Sequence, residues 1–302
     1  MGLQRMMKTN FLPWRLTHRG GVLNTCLFVP ARRRKLRQLL ARDQDFKRDE
    51  VTVVIPVRNR ADYRLRNALV TLRSQDYPEE LVKIVVVDYG SELEAVDATA
   101  RLCRESDATM HSLKVNGVWN KARCANYAIK RCGSEFLMSA DADNIFASNF
   151  LSASIATLRR NPLAVVYSQM LDMEEESSSL LRAFAENKQP VPYAKLEFLG
   201  VPRGAGVKHP GTFITSTLFF HHIRGYDEHY QEWGWEDNDI MQRFHLLGLD
   251  LESISASARF MHQWHPKGEG VRDWRDSAGR NKEYFDRNAG RVFRNSEGWG
   301  EG

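Results

Sequence analysis

Two aspartates that follow an apolar run are the residues of this chain best placed to hold a cation. Residues 136–140 are mostly apolar and lead directly into Asp141 and Asp143, which are two positions apart. A short apolar run bounded by turn formers predicts a buried strand, and ligands of open α/β sheets bind at the carboxyl ends of the strands. Carboxylate oxygens suit Mg²⁺ or Mn²⁺, ions that commonly carry a substrate diphosphate. The alternative interpretation is an aspartate-rich turn that caps the next helix.

The segments that must position these aspartates alternate between strand and helix patterns. Residues 51–56, 84–88 and 109–113 are predicted strands, and the apolar run before Asp141 is a fourth. Amphipathic segments separate them, such as the predicted helix at residues 119–131. Strands that alternate with helices of this length form right-handed βαβ units around a parallel sheet. The expected fold class is α/β, with a central mostly parallel sheet flanked by helices.

The second half of the chain changes character after a further predicted strand at residues 163–168. Residues 174–206 contain a run of acids and serines followed by several prolines and glycines, a composition typical of a binding loop or lid. A strand is predicted at residues 213–220 and a short one at residues 251–255, with an amphipathic helix between them that ends at Gly248. The sequence contains neither G-x-G-x-x-G nor G-x-x-x-x-G-K-[ST], so a bound cation would have to hold any phosphates.

The composition is that of an ordinary globular protein. The 302 residues are 42% hydrophobic and 27% charged, with a formal net charge of +5. No apolar segment reaches the roughly 18 residues needed to span a bilayer, and the first thirty residues lack the pattern of a signal peptide. The four cysteines show no C-x-x-C spacing, which predicts reduced thiols in a cytoplasmic protein rather than a zinc site or disulfides.

One charge cluster stands out near the N-terminus. Residues 31–37 carry five cations in seven positions. Runs of this kind bind anionic lipid or nucleic acid in some proteins and form a solvated helix face in others. We expect no nucleic-acid partner. Peripheral contact with the inner leaflet of the membrane through residues 31–37 is the alternative to a plain solvated face.

Four short motifs lie along the chain in a definite order. They are residues 53–59 at the first predicted strand, residues 86–91 at the end of the second, residues 119–126 followed by Asp141-Ala142-Asp143, and residues 233–237 with the later His262. Together they resemble the glycosyltransferases of the GT-A fold, of the family 2 type, and the C-terminal half is similar to the galactosyltransferase and chondroitin-polymerase-like group. The resemblance implies inverting transfer of a sugar from a nucleotide-sugar, expected to be a UDP-sugar, to a saccharide acceptor in polysaccharide or glycoconjugate synthesis.

The resemblance covers about residues 51–266 and implies a domain organisation. The nucleotide-binding half is expected at residues 51–145 and the acceptor-binding half at residues 146–266. Residues 1–50 form a basic N-terminal extension in this interpretation, and residues 267–302 form a peripheral C-terminal segment.

The resemblance also implies a metal site and a set of donor contacts. Asp143 and Asp141 would hold the cation and His262 would complete its coordination, with His265 as the alternative ligand. An imidazole beside carboxylates favours Mn²⁺ over Mg²⁺, and the cation would stabilise the departing diphosphate. The residues expected to bind the donor are Pro56, Arg58, Asp88, Lys121, Arg123 and Asp141.

Purely structural roles are the alternatives to donor binding for these residues: a turn-forming aspartate and a solvated helix face. Asp88 precedes a Gly-Ser turn, so it either accepts a hydrogen bond from the nucleoside or forms the turn. Lys121 and Arg123 lie on a predicted helix, where they either offset the charge of a diphosphate or face solvent.

Catalysis is expected from the acids at the start of the late helix. The helix dipole favours the ionised form of Asp237, which makes it the candidate general base, and Glu236 beside it would bind the acceptor. Trp233 and Trp235 would stack on the acceptor sugar, because aromatic faces pack against sugar rings. The alternative for the two acids is an ordinary role in the first turn of a helix, and the alternative for the two tryptophans is burial in the core.

Three other functions compete with glycosyl transfer. A phosphohydrolase would use the D-x-D motif as nucleophile and acid, but those enzymes carry it on the first strand, and here at least three strands precede it. A non-catalytic nucleotide-sugar-binding module remains an alternative. A nucleotidyltransferase fits less well, because no glycine-rich loop with Arg and Lys follows the first strand.

Overall fold

The computed structural model describes residues 29–42, 46–203, 211–270, 273–288 and 295–301. The helices are, in chain order, α1 (Val29–Arg42), α2 (Tyr63–Arg73), α3 (Leu93–Glu105), α4 (Lys121–Arg131), α5 (Phe150–Arg160), α6 (Ser177–Glu186), α7 (Tyr193–Leu196), α8 (Thr217–Ile223), α9 (Glu236–Leu247) and α10 (Trp274–Asn288). The strands are β1 (Lys47–Val57), β2 (Val82–Tyr89), β3 (Thr109–Leu113), β4 (Ser134–Ser139), β5 (Asn144–Phe146), β6 (Ala164–Tyr167), β7 (Met170–Asp172), β8 (Val201–Pro202), β9 (Phe213–Ser216), β10 (Asp250–Ser253) and β11 (Phe260–His262).

Seven of these strands form the main sheet, in the order β10-β6-β9-β4-β1-β2-β3. All neighbouring pairs are parallel except those of β9, which runs antiparallel to both β4 and β6. The central strands are nearly continuous runs of apolar residues, as expected for strands that are covered on both faces. The predicted α/β class with a mostly parallel sheet is confirmed.

Alternate residues of β1 enter two separate hydrophobic cores. Val53 and Ile55 pack on the face covered by α2, α3 and α5, whereas Val54 packs on the face covered by α4, α8 and α9. The period of two along a strand produces this division. Because β1 pairs in parallel with both β2 and β4, the carboxyl ends of these three strands lie at one edge of the sheet, where the predicted donor residues and the two aspartates lie.

A second sheet of four short strands, in the order β5-β11-β7-β8, was not predicted. In β11, His262 is opposite Asn144 of β5 on one side and opposite Asp172 of β7 on the other. Strands of two or three residues are too short to show an alternating pattern in the sequence. Their pairing matters because Asn144 directly follows Asp143.

The predicted strand at residues 213–220 is only half correct. Strand β9 ends at Ser216, and α8 begins at Thr217. Phe219, Phe220 and Ile223 lie on the buried side of that helix. The periodicity of an apolar run of this length does not distinguish a buried strand from a buried helix. The change from strand to helix was therefore not predicted.

Part of the predicted N-terminal extension belongs to the folded unit. Helix α1 buries Leu36, and its Arg32 donates a hydrogen bond of 2.7 Å to the carbonyl of Leu246 in α9. Arg33 pairs with Asp250 at 2.9 Å. The first strand begins at Lys47 rather than at residue 51. Residues 1–28 of the predicted extension, and Gly204 and Gly206 of the predicted loop, lie outside the described residues.

The predicted peripheral segment at the C-terminus also packs on the domain. Trp299 is buried, and Asn281 of α10 donates to the backbone carbonyls of Gln231, Trp233 and Gly234. Among the helices in the described ranges, none combines the length and the apolar character needed to cross a membrane.

Candidate active site

One aspartate and two histidines meet at the carboxyl edge of the main sheet. Nε2 of His262 lies 3.8 Å from Oδ1 of Asp143, and Nε2 of His265 lies 3.4 Å from Oδ2 of the same carboxylate. One ligand atom from each residue lies within 4.8 Å of the others, a geometry that can hold a metal ion. Burial would raise the pKa of Asp143, but His262, His265 and Arg60 outweigh it and hold the pKa well below its ordinary value.

The side chain of Asp172 orients His262 in this cluster. Its Oδ1 lies 3.2 Å from Nδ1 of His262, and its Oδ2 accepts a 2.6 Å hydrogen bond from Nε of Arg203. Burial would raise the pKa of Asp172, but His262 and Arg203 outweigh it and lower the pKa. When Nδ1 donates to Asp172, Nε2 is left as a lone pair that can bind a metal ion, the arrangement found behind metal-binding histidines; Nη2 of Arg203 also lies 3.2 Å from Nδ1 and competes for that atom.

Gln263, between the two histidines, fixes the chain that carries them. Its backbone N–H donates to the carbonyl of Asp143 at 2.9 Å, and its side chain donates to the carbonyl of Arg64 at 3.0 Å. Asn67 in turn donates to the Gln263 side-chain oxygen at 3.0 Å. The buried amide therefore ties the histidines both to the D-x-D turn and to α2.

Asp141, which the sequence analysis placed at the metal, lies outside the group formed by Asp143, His262 and His265, and its role toward a metal stays a prediction. The ammonium of Lys121 lies 2.8 Å from Oδ1 of Asp141 and donates to the two oxygens of Asp237 at 2.9 and 3.1 Å. Glu236 lies 3.7 Å from the same ammonium. Burial would lower the pKa of Lys121, but the three carboxylates outweigh it and raise the pKa well above the ordinary value.

Asp237 lies at the first turn of α9, as predicted, but its surroundings do not favour ionisation. Burial raises the pKa of Asp237 to about 7; Lys121 opposes this shift, whereas Glu236 and Asp141 add to it. The hydroxyl of Tyr226 is 3.4 Å from Oδ1 of Asp237 and 2.8 Å from the hydroxyl of Ser139. A carboxylate with a pKa near neutrality suits proton transfer in either direction.

A glycine makes room for the two carboxylates. A Cβ on Gly211 would lie 2.3 Å from Oδ2 of Asp141 and 3.4 Å from Oδ2 of Asp237. A side chain at this position would require the Asp141 carboxylate to move. The sequence analysis did not single out Gly211, because its role depends on contacts with distant residues.

The predicted donor residues are spread along the same edge of the sheet. Pro56 is buried in β1, and the buried carboxylate of Asp88 accepts hydrogen bonds from Ser91 and from Ser112. Arg58 donates to the carbonyl of Gly117 at 2.6 Å. The side chain of Arg123 is 48% exposed and lies 3.9 Å from Glu228. Their contacts with a nucleotide remain predictions.

The two tryptophans before α9 differ in exposure and in partners. Trp233 is 44% exposed and meets Trp274 edge to face, with ring centroids 5.2 Å apart. Trp235 is partly buried against Phe285 of α10 at 5.1 Å and adopts a left-handed backbone with φ of 77°. Trp233 is therefore the more accessible aromatic surface, whereas Trp235 holds the loop against the C-terminal helix.

Several residues in or near the site were missed by the sequence analysis. Besides Gly211 and Gln263 they include Arg60, Asp172, Arg203 and Tyr226, and none lies in a motif of recognisable spacing. Each reaches the site through tertiary contacts alone. The histidine pair H-x-x-H at positions 262 and 265 was the signal available for the metal cluster, and the structure brings both histidines to it rather than one of them.

Several solved structures share the fold of this chain at low sequence identity. TarS from S. aureus in complex with UDP-GlcNAc is 17% identical over 72% of this chain and 59% of its own, with a TM-score of 0.54. TarS in complex with UDP is 18% identical over 73% and 62%, with a TM-score of 0.53. GalNAc-T7 with UDP, GalNAc and Mn²⁺ is 16% identical over 78% and 47%, with a TM-score of 0.56.

The chain spans between about half and three fifths of the length of these structures. No curated protein matches it significantly. The model of the family described as glycosyltransferase like family 2 matches residues 52–297, which extends past the predicted limit at residue 266 and includes α10. The chain therefore belongs to the family 2-like glycosyltransferases and has their GT-A fold.

Proposed function

We propose that this glycosyltransferase uses a divalent cation and moves a sugar from a UDP-sugar to a saccharide acceptor with inversion at the anomeric carbon, in polysaccharide or glycoconjugate synthesis. The observation that carries the proposal is that the possible metal cluster at Asp143 lies next to the ion-paired cluster of Asp141, Lys121 and Asp237. Asp143 belongs to the cluster of metal-binding type, and Asp141, two positions earlier, is linked through Lys121 to the candidate base Asp237. Solved TarS with UDP-GlcNAc and GalNAc-T7 with UDP and Mn²⁺ support the same donor and ion.

The donor set at Asp143 fits a divalent cation. One carboxylate and two imidazoles favour Mn²⁺ over Mg²⁺, since nitrogen ligands suit the transition metal better. Asp143, His262 and His265 would hold the ion, and Asp172 would keep His262 in the binding tautomer. When bound there, the ion supplies charge stabilisation for the departing diphosphate.

Asp237 would accept the proton of the attacking hydroxyl. An inverting transfer is a single displacement, so the base must lie on the acceptor side of the anomeric carbon. Asp237 is held by Lys121 and Tyr226, which fixes the orientation of its carboxylate before the acceptor arrives. Its pKa of about 7 keeps a substantial ionised fraction at neutral pH.

The aromatic surface at Trp233 supports a saccharide acceptor. Its exposed indole lies four positions before Asp237 and forms an edge-to-face pair with Trp274. Sugar rings present apolar C–H faces that pack on indole rings, whereas their hydroxyls are left to polar groups such as Glu236. The acceptor ring would therefore be bound beside the base.

Contact with an anionic membrane surface is also proposed, through the outer face of α1. Arg32 and Arg33 are used to dock the helix, but Arg34, Lys35 and Arg37 are exposed. Each cation near an anionic surface contributes about 1 kcal/mol of attraction. This arrangement supports reversible attachment at the cytoplasmic leaflet, where a lipid-linked or growing acceptor would be met.

A donor screen tests the proposed function directly. The protein is incubated with a panel of nucleotide-sugars and Mn²⁺, and the release of free nucleotide is measured with and without excess chelator. We expect slow, cation-dependent release of UDP from one UDP-sugar, and loss of this activity in Asp143→Asn. Release of UDP at an equal rate in chelator would contradict the cation requirement, and no release from any UDP-sugar would contradict the donor class.

A further inference from the structure

We propose that Arg60 binds the diphosphate of the donor, a role that the sequence analysis gave to other cations. The inference rests on the proposed function and identifies the residue that recognises its charged leaving group. Arg60 lies three positions after the end of β1, at the edge of the sheet where Asp143 and the two histidines meet.

The loop before Arg60 is fixed by its neighbours. Asn59 adopts a left-handed backbone with φ of 49°, its N–H donates to the hydroxyl of Ser91 at 2.7 Å, and its side-chain oxygen accepts from the N–H of Glu92 at 2.9 Å. The turn after β1 is thereby tied to the turn after β2. This bracing sets the direction in which the Arg60 side chain leaves the main chain.

One nitrogen of the Arg60 guanidinium is buried without a hydrogen-bond acceptor in the part of the chain that the structure describes. This Nη1 atom lies 3.8 Å from Oδ2 of Asp143 and 3.2 Å from Oε2 of Glu269, which it meets as an ion pair without hydrogen-bond geometry. A buried donor without a partner is costly, and such groups are usually completed by a ligand or water. A phosphate oxygen at the cluster would supply the missing acceptor.

The balance of charge at the cluster also favours an anion once a cation is bound. Two guanidinium groups, those of Arg60 and Arg64, face three carboxylates, those of Asp62, Asp143 and Glu269. With neutral histidines the cluster carries one negative charge, and a divalent ion changes it to one positive charge. Arg64 is already held by Asp62 and Glu269, which leaves Arg60 as the guanidinium of this cluster that can donate to a phosphate bound at the ion.

The cations named by the sequence analysis are less well placed for this role. Lys121 is held between Asp141 and Asp237. Arg58 donates to a backbone carbonyl, and Arg123 is half exposed beside Glu228. A guanidinium also has a planar fork of donors that matches two phosphate oxygens, which an ammonium does not.

The test measures binding of UDP and of uridine by calorimetry in the presence of Mn²⁺, without acceptor. Because charge-assisted hydrogen bonds are the strong ones, Arg60→Gln should lower UDP affinity by about tenfold to a hundredfold and change uridine affinity by less than about twofold. Mn²⁺ affinity, measured separately, should be unchanged or higher, since a cation has been removed from beside Asp143. Arg60→Lys keeps the charge without the fork and should lose several-fold in UDP affinity.

Arg66→Gln is the matched control. Arg66 lies in α2 and donates to the carbonyls of Phe184 and Gln189, so its removal deletes one positive charge outside the cluster and should leave UDP affinity unchanged. Wild-type UDP affinity in both Arg60 variants would overturn the proposal, as would an equal loss for UDP and uridine. If the wild-type protein binds no UDP, the proposed function fails and this inference fails with it. If Arg60→Gln does not fold, the UDP-to-uridine comparison in Arg60→Lys decides.

Discussion

Lys121 and Asp237 form a partly buried ion pair in which one ammonium donates to both carboxylate oxygens, at 2.9 and 3.1 Å. The same ammonium lies 2.8 Å from Asp141 of the D-x-D motif. The D-x-D motif and the candidate base are therefore joined through a single positive charge. A change at Lys121 is expected to affect both.

The first prediction concerns the pH dependence of the reaction. Since burial raises the pKa of Asp237 to about 7, its carboxyl holds a proton below that pH and cannot accept another. We expect kcat/KM to fall as the pH decreases through about 7, because the pH dependence of kcat/KM reports the pKa values of the free enzyme. Asp237→Asn should lower kcat by about 10²–10⁴-fold and remove this dependence. Steady-state kinetics between pH 5.5 and 9 provide the measurement.

UDP affinity is the control for that variant, because the amide keeps the shape of the side chain and removes only the proton acceptor. We expect it to stay close to that of the wild type. A nearly wild-type rate in Asp237→Asn would exclude Asp237 as the base and direct attention to Glu236. Asp239 is a weaker candidate, since it is buried against Arg243 at 2.6 Å.

The second prediction concerns stability at Lys121. Lys121→Met leaves Asp141, Glu236 and Asp237 together without their buried cation, and the free energy of unfolding should fall by about 3–5 kcal/mol. The loss should be smaller at pH 6 than at pH 8, because Asp237 takes up a proton as the pH falls. Chemical denaturation at both pH values measures the effect.

Lys130→Met is the matched control on the same helix. Lys130 pairs with the exposed Glu301 at 3.2 Å, and surface pairs contribute about 0–1 kcal/mol. An equal loss of stability in the two variants would show that the cluster around Lys121 contributes no more to the free energy of unfolding than a surface pair does. A loss at Lys121 that does not change with pH would contradict the proposed proton uptake.

The third prediction concerns the metal cluster. Asp172→Asn keeps the size of the side chain but presents an amide to Nδ1 of His262, which weakens control of the tautomer. We expect Mn²⁺ affinity to fall by about 10–100-fold, with activity restored at higher Mn²⁺ concentration. Asp107→Asn, at an exposed carboxylate paired with Arg73, should leave Mn²⁺ affinity unchanged. Unchanged Mn²⁺ binding in Asp172→Asn would refute the orienting role.

The fourth prediction concerns the stereochemistry of the product. A single displacement with Asp237 as base inverts the anomeric carbon, so an α-linked UDP-sugar should give a β-linked product. The anomeric proton coupling of the isolated product, measured by NMR, distinguishes the two linkages. An α-linked product from the same donor would rule out the inverting mechanism.

The fifth prediction concerns helix α1. Simultaneous replacement of Arg34, Lys35 and Arg37 by Gln should weaken binding to vesicles containing anionic lipid by about two orders of magnitude, at about 1 kcal/mol per charge. Arg32 and Arg33 are left in place, because they hold the helix on α9 and β10. Sedimentation with vesicles of defined phosphatidylserine content gives the affinity. Equal binding of the variant and the wild-type protein would dismiss a membrane role for this face.

Local sequence patterns were sufficient to predict the α/β class and the elements that carry the chemistry. The apolar run before Asp141 forms β4, and the acids from Glu236 onward begin α9, as their patterns predict. These features are local, because hydrogen bonding within a helix and alternation along a strand involve neighbours in the chain. Patterns failed where the segment was short or ambiguous, as in the three-residue strands and in the change from β9 to α8.

Which charged groups meet depends on the packing of segments that are distant in the chain. Lys121 reaches Asp237 across 116 residues, and this contact depends on how α4 and α9 pack on the sheet. The register of the small sheet places His262 beside Asp172 and next to the residue that follows Asp143. No periodicity in the sequence encodes such a register, because it is set by long-range strand pairing and by the packing of both cores.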